Sequence, residues 1–483
     1  MIGTRATRRS VLAHIGAAAA CAPALLLARR APAQAPPLPP LPNLPSNEAL
    51  LLRPGDAGFA AYQPAFNART MLTPQLRALC KTANAVGAMV DWCRSNNVPF
   101  AMRSGGHCYE GFSESLSVVI DTRLLNAIGI DGAAKTVTVG AGASLGSVYK
   151  ALAPHNLAFA AGSCPTVGVS GHTLGGGYGY LARPFGLTAD NLLAIDLVDP
   201  QGRQVHADAG QNTDLFWVNR GGGGGSFGVA TAFRFQLRRL TNVLVFRIDW
   251  TRLDPAHAAA ILKDWQAWVP QAPSSIDATF LIRRHPSGGV DLRCSGQSIG
   301  SRSQLQRALR PLSRAPQIQS MSFFAAVNHF AGGKNGWTYS STPMKGKSDY
   351  VVSPLSDDGA TTLMNQVGAK PGIYVICDAY GGAITSVAAD ATAFAHRTAL
   401  YSVQYGSTWS DPNDTPQRLA DMRDLYAAMR PYVSGAAYVN YCDLDLTDWQ
   451  NAYWGANLAR LKAIKSAFDP DNIFRHAQSV PPA

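Results

Sequence analysis

Two stretches of this chain each set one nucleophilic side chain in a bed of glycine: Arg103-Ser104-Gly105-Gly106-His107-Cys108-Tyr109-Glu110-Gly111 and Gly162-Ser163-Cys164-Pro165-Thr166-Val167-Gly168-Val169-Ser170-Gly171-His172. Without a Cβ, the backbone on either side of His107 and Cys164 turns sharply and lies close to a flat ligand. Any fold for this chain must support both loops from behind and leave their glycine faces free.

The flanking pattern supplies that support. Ala83 to Ser95 carries Val86, Met89, Val90 and Cys93 on one helical face, and Asn96-Asn97-Val98-Pro99 leads from it into a strand ending at Arg103. The first glycine loop therefore follows a strand. Ser117–Asp121 and Thr136–Val139 are predicted as further strands, and Leu145–Ala153 as a short helix. Gly223, Gly225 and Gly228 form a formal GxGxxG, but a dinucleotide fingerprint opens a helix, and here Ala230–Leu237 alternates as a strand. The Rossmann reading is excluded, which leaves a linker or a nest of backbone N–H groups.

After Cys164 come Thr173-Leu174-Gly175-Gly176-Gly177-Tyr178-Gly179-Tyr180-Leu181 and Gly186-Leu187-Thr188-Ala189-Asp190-Asn191, then the Gly221–Gly225 segment and a closing motif, Tyr438-Val439-Asn440-Tyr441-Cys442-Asp443-Leu444-Asp445. In this order and spacing the chain resembles the berberine-bridge-enzyme-like family of flavoproteins over nearly all its length after residue 50. The resemblance implies FAD tethered twice, through His107 and Cys164. The fold it implies is α+β: a two-part PCMH-type, vanillyl-alcohol-oxidase-like FAD-binding domain, and a substrate domain with an antiparallel β-sheet backed by helices. The corresponding segments are 46–240 for the FAD-binding domain, 241–435 for the substrate domain and 436–483 for a return to the first. Strands such as Val243–Trp250 and Ile373–Tyr380 fit the middle segment.

The resemblance also implies which residues meet the cofactor. In the first motif these are Arg103, Ser104, Gly105, Gly106, His107 and Tyr109. The second contributes Cys164, Pro165, Thr166, Val167, Gly168, Gly171 and His172. Gly175, Gly176, Gly177, Tyr178, Gly179 and Asn191 follow, then Gly228 and Val229, and finally Tyr438 and Asn440. No metal is expected, because the cysteines show no metal-ligand spacing.

Three residues are the candidate catalytic groups. Asp378 matches the carboxylate position of carbohydrate-oxidising members. Gln404 stands where alkaloid-cyclising members carry a catalytic Glu and many alcohol-oxidising ones carry Gln. Tyr441 matches the general base of the alcohol oxidases. Removing an alcohol's hydride requires its hydroxyl proton to leave, and a phenol with a pKa near 10 is only about one part in a thousand ionised at neutral pH, a penalty of roughly 4 kcal/mol. A relay from Tyr441 to Asp378 avoids a free phenolate. Trp337, Tyr339, Tyr350, Tyr380 and Trp409 are candidate aromatic linings of the cleft, and Tyr109 is placed to stack on a sugar or flavin edge. In the family that the chain resembles, a small side chain at the position of Val167 leaves room for O2, so the resemblance implies an oxidase releasing H2O2. The alternatives are a dehydrogenase of a secondary-metabolite alcohol or amine with another acceptor, and a catalytically silent flavin-binding protein.

The first 33 residues read as a leader: Arg8-Arg9, an Ala-rich apolar run from Val11 to Ala28, and Ala31-Pro32-Ala33 as a cleavage site. This is the pattern of twin-arginine export to the periplasm or exterior, with no stable membrane span in the mature chain. The leader holds five arginines and no acid, so its removal lowers the net charge from +11 to +6. A surplus that small, without a basic block, reads as a solvated surface rather than a nucleic-acid footprint, and the partners that the resemblance implies are a small-molecule substrate, a sugar or other alcohol, and O2. Residues 34–45, nearly all Pro and Leu, are expected to form an extended spacer.

Overall fold

The computed structural model of the chain describes residues 36–333, 337–339 and 341–483, so the leader and its cleavage site lie outside the described residues. The architecture is α+β. Strands β1 (Ala49–Leu52), β2 (Leu76–Cys80), β3 (Phe100–Arg103) and β4 (Val118–Asp121) form a sheet in the order β1-β2-β4-β3, parallel except at β1. The helix Ala83–Ser95 joins β2 to β3, as a parallel pair requires a crossover. Thr82 caps it by accepting from the Ala85 N–H, and Val86, Met89, Val90 and Cys93 are buried.

A second sheet takes β5 (Ile128–Asp131), β6 (Thr136–Gly140), β8 (Leu192–Val198), β9 (Gln204–Asp208) and β10 (Val229–Gln236) in the antiparallel order β5-β6-β10-β8-β9. A two-strand ribbon pairs β7 (Leu157–Ala158) with β11 (Arg238–Arg239). The glycine-rich stretch ahead of β10 does lead into a strand, with positive φ at Gly221, Gly223, Gly225 and Gly228.

The third sheet is antiparallel and has seven strands. It contains β12 (Asn242–Leu253), β13 (Ile276–Arg284), β14 (Val290–Ser298), β15 (Gln317–Ser322), β16 (Met344–Val351), β17 (Ile373–Ala379) and β18 (Tyr401–Thr408), in the order β15-β12-β14-β13-β17-β18-β16. One face packs against the helices Pro255–Trp268, Asp357–Ala369 and Thr415–Met429, whose Leu262, Trp265, Leu363, Met364, Met422 and Leu425 join its core. Strand alternation sends Val375, Cys377, Val403 and Tyr405 into that core and leaves Tyr374, Ile376, Asp378 and Gln404 on the opposite face. After the sheet the chain turns back: the helices Trp449–Trp454 and Leu458–Phe468 bury Tyr453, Trp454 and Leu461 with the five-stranded sheet.

The Pro/Leu segment differs from the expected spacer. Leu38, Leu41 and Leu44 pack on the core beside the helix Ala83–Ser95, and Pro40 accepts a hydrogen bond from the Trp92 indole at 2.9 Å. A leucine at every third residue falls on one side of a three-residue polyproline turn, so the stretch is extended yet docked.

Candidate active site

Strand β3 delivers the first glycine loop. Behind it the Arg103 guanidinium pairs with Glu114 and the Pro64 carbonyl, in the space that a Cβ on Gly106 (φ +68°) would take. The His107 ring is held by Thr166 Oγ1 at 3.1 Å, by a stacked Phe66 at 4.4 Å and by the edge of Tyr339 at 5.4 Å. Burial pushes its pKa down to about 4, so the imidazole is neutral and nucleophilic. The second loop lies against the first, backbone to backbone: a Cβ on Gly105 would stand 2.2 Å from the Gly168 nitrogen. Cys164 is open to the cleft between them, and the enclosing walls push its thiol pKa up by desolvation.

The two loops, the Gly222–Gly225 turn and the free face of the seven-stranded sheet enclose one cleft of about 600 Å³. Its glycine wall is shaped for a cofactor to lie against. A Cβ on Gly171 would meet no protein atom within 4 Å, and one on Gly224 would meet only Leu174 at 3.8 Å, so both face space that a ligand can fill. Of the expected cofactor contacts, the cleft is lined by Arg103, Ser104, Gly105, Gly106, His107 and Tyr109, by Cys164, Val167, Gly168, Gly171 and His172, and by Tyr178, Gly179, Gly228, Val229, Tyr438 and Asn440.

Six expected contacts stand behind that wall instead. Thr166 is turned to His107, and Pro165 packs where a Cβ on Gly146 would go. Gly175, Gly176 and Gly177 back onto Asn440, Phe394 and Thr188, and the Gly177 N–H donates to the Tyr438 hydroxyl at 3.0 Å. The Asn191 amide donates to the Phe185 and Leu187 carbonyls. These residues shape the wall without forming its surface.

All three candidate catalytic residues face the cleft. Asp378 is buried and accepts from Thr279 Oγ1 at 3.0 Å, its cross-strand partner on β13. Its pKa is pushed up to about 7, chiefly by burial, with Thr279 opposing and Asp277 adding to the rise. Gln404 donates from Nε2 to the Tyr109 hydroxyl at 2.6 Å. Tyr109 in turn stacks parallel on Tyr441 with centroids 5.4 Å apart. Burial, then Tyr109 and Asp378, hold the Tyr441 phenol well above its usual pKa. No hydrogen bond joins Tyr441 to Asp378 among the described residues, so the relay is not preformed.

The aromatic lining expected from the sequence is corrected. Tyr350 and Tyr380 are buried against each other, Trp409 bonds Thr415, Trp337 packs on Phe324, and Tyr339 bonds the Gly106 carbonyl from behind. In their place the cleft presents Phe330, Tyr374 and Tyr180, the last stacked on Phe330 at 3.8 Å. Sequence reading also missed His476, which meets the Gly224 carbonyl at 3.1 Å and stacks on Phe112 at 4.5 Å. The inward phase of β17 was the available signal for Tyr374; none marked His476.

Four segments distant in sequence are tied together beside the cleft. Lys345 and Lys347 on β16 reach Asp443 at 2.6 and 2.7 Å, Lys347 reaches Asp445 at 2.8 Å, and Lys345 also meets Glu110, which pairs with Arg69 at 2.8 Å. Burial opposes the charge on Lys345, but Asp443 and Glu110 outweigh it and hold its pKa up. Glu110 belongs to the first glycine loop and Asp443 lies two residues after Tyr441, so this network fixes the Tyr441 segment relative to that loop.

Comparison with known proteins places the geometry in context. Residues 74–208 match the model of an FAD binding domain, and residues 437–481 match the model described as berberine and berberine like. The chain is 32% identical over 444 residues to the uncharacterized FAD-linked oxidoreductase YvdP of Bacillus subtilis (strain 168), covering 89% of this chain and 97% of that one. Among solved structures it resembles Physcomitrella patens BBE-like 1, with 32% identity, a TM-score of 0.85 and coverage of 91% and 98%. A chitooligosaccharide oxidase shares 26% identity at a TM-score of 0.81, with 90% of this chain and 97% of that one covered.

Proposed function

Because the chain belongs to the berberine-bridge-enzyme-like family of FAD-linked oxidoreductases, we propose that it oxidises a hydroxyl of a carbohydrate or comparable alcohol, with O2 as acceptor. The observation that carries this reading is the convergence of Tyr441, Tyr109, Gln404 and Asp378 on the cleft that also holds His107 and Cys164. FAD held between the two glycine loops would supply a two-electron acceptor for the oxidised carbon that O2 reoxidises with release of H2O2. Tyr441 receives the hydroxyl proton. Its raised pKa makes a standing phenolate too costly, so the phenolic proton leaves as the substrate's arrives. Asp378, with a pKa of about 7, is the acceptor of that proton, its basicity suited to neutral pH. Gln404 orients Tyr109, and Tyr109 holds the Tyr441 ring.

His107 and Cys164 are the proposed attachment points of the cofactor, the first as a neutral imidazole. The resemblance to a chitooligosaccharide oxidase and the aromatic surfaces of Tyr374, Tyr180 and Phe330 support a sugar ring as substrate. The twin-arginine leader supports export of the folded, flavin-bearing chain.

The test is anaerobic mixing with a panel of oligosaccharides and benzylic or allylic alcohols. Bleaching of the flavin by a sugar, and stoichiometric H2O2 once air is admitted, are expected. Bleaching without peroxide would replace the oxidase with a dehydrogenase, and no bleaching by any alcohol would end the reading. Acid precipitation tests attachment: the flavin stays with the pellet in His107→Ala and in Cys164→Ala, and is freed only in the double variant.

A further inference from the structure

Among the described residues one pair of cysteine sulfurs is in contact: Cys108 Sγ and Cys442 Sγ lie 3.6 Å apart although 334 positions separate them in sequence. Each is the direct neighbour of a site residue, Cys108 of His107 and Cys442 of Tyr441, and both line the cleft. The other cysteines are placed differently: Cys80, Cys93, Cys294 and Cys377 are buried in cores, and Cys164 faces the proposed cofactor position.

The two sulfurs are not equivalent. The Phe112 N–H points at Cys108 Sγ at 3.2 Å, in the turn where the chain reverses after the glycine loop. The Cys442 S–H, and then the N–H groups of Phe112, Glu110 and Gly111, hold the Cys108 thiol below its ordinary pKa against the cost of burial, while Cys442 is pushed up. A thiol whose sulfur is met by a backbone donor, with a second thiol in contact, is the arrangement of an attacking and a resolving cysteine.

We propose that Cys108 and Cys442 form a peroxide-driven cross-link that fastens the first glycine loop to the segment carrying Tyr441. This rests on the oxidase reading, which supplies the oxidant inside the same cleft. The Cys108 thiolate attacks one oxygen of H2O2; the O–O bond breaks, hydroxide leaves and takes up a proton as water, and Cys108 becomes a sulfenic acid. The Cys442 sulfur then displaces the sulfenic oxygen, which leaves as a second water. The balance is two thiols and one H2O2 to one disulfide and two waters. Closing the bond needs about 1.5 Å of approach from the 3.6 Å contact. The product braces the stacked Tyr109 and Tyr441 rings, because each cysteine is next in sequence to one of them.

The experiment uses the holoenzyme, reduced with a phosphine and freed of it under argon, then given one equivalent of H2O2 without any substrate. Non-reducing peptide mass analysis is expected to find the Cys108 and Cys442 peptides joined, two hydrogens lighter than their sum. A Tm several degrees above that of the reduced protein is expected as well. Cys442→Ser should keep its flavin, form no linked peptide, show no Tm shift and accumulate sulfenic acid at Cys108, which dimedone captures. Recovery of both cysteines as free, alkylatable thiols in the wild type, or of Cys108 as sulfinic acid beside a free Cys442, would overturn the proposal. Added peroxide keeps this outcome separate from the oxidase reading: a link formed by H2O2 in a protein that no alcohol reduces would leave the sulfur chemistry standing and the substrate class fallen.

Discussion

Tyr441 lies flat against Tyr109 and has no hydrogen bond to Asp378, so the proposed role of Tyr441 as base depends on where its own proton goes. Tyr441→Phe keeps the ring and its packing and removes the oxygen. Flavin content should be unchanged, while anaerobic reduction by substrate slows by about 10² to 10⁴-fold, the usual share of a general base. Asp378→Asn should slow the same step, and the double variant should be little worse than the slower single one if the two act as a unit. The pH dependence follows from burial. Asp378 accepts a proton only as carboxylate, and its pKa is about 7. The reduction rate should therefore rise with pH through about 7 and level off above it, and this limb should vanish in Asp378→Asn. Val167 lines the cleft three positions after Cys164. Val167→Leu should slow reoxidation by O2 far more than reduction by substrate, a split that stopped-flow resolves; equal slowing of both would remove the gating role.

The two glycine loops touch through main chain, so a single methyl tests them as elements. Gly105→Ala puts a Cβ 2.2 Å from the Gly168 nitrogen and must part the loops. Its cost should exceed the about 1–3 kcal/mol of an overpacked core, read as a fall in Tm with loss of bound flavin. Asp443→Ala leaves Lys345 and Lys347 buried without their shared carboxylate, which should cost about 3–5 kcal/mol in denaturant unfolding. Element positions were largely legible in the sequence, because helix and strand periods are local: Ala83–Ser95 and the strands at 100–103, 136–140, 229–236 and 373–379 lie within a residue or two of their pattern. Orientation across distance was not. Nothing local distinguishes Gly171, which faces the cleft, from Gly176, which backs onto Phe394. Nor does composition show that Tyr350 and Tyr380 are buried together while Tyr374 lines the cleft, since that depends on which sheet face meets the helices. The docking of Leu38, Leu41 and Leu44 was missed because their three-residue spacing is neither a helical nor a strand period.

At the scale of the whole molecule, an α+β scaffold brings three sheets and a C-terminal return around one cleft, and among the described residues no helix is long and apolar enough to cross a membrane. The proposed twin-arginine leader carries a prediction about transport: Arg8→Lys with Arg9→Lys should trap the precursor in the cytoplasm with its flavin attached, seen by fractionation, and undiminished export would point to the general secretory route. The wall completed by Tyr441 and His476 is also the last part of the cleft to be synthesised. A chain that ends before residue 437 keeps His107 and Cys164 but lacks Tyr441, His476 and the Asp443 carboxylate that Lys345 and Lys347 share. Such a shortened chain is expected to retain less flavin than the full one, as the visible absorbance of the two purified proteins would show.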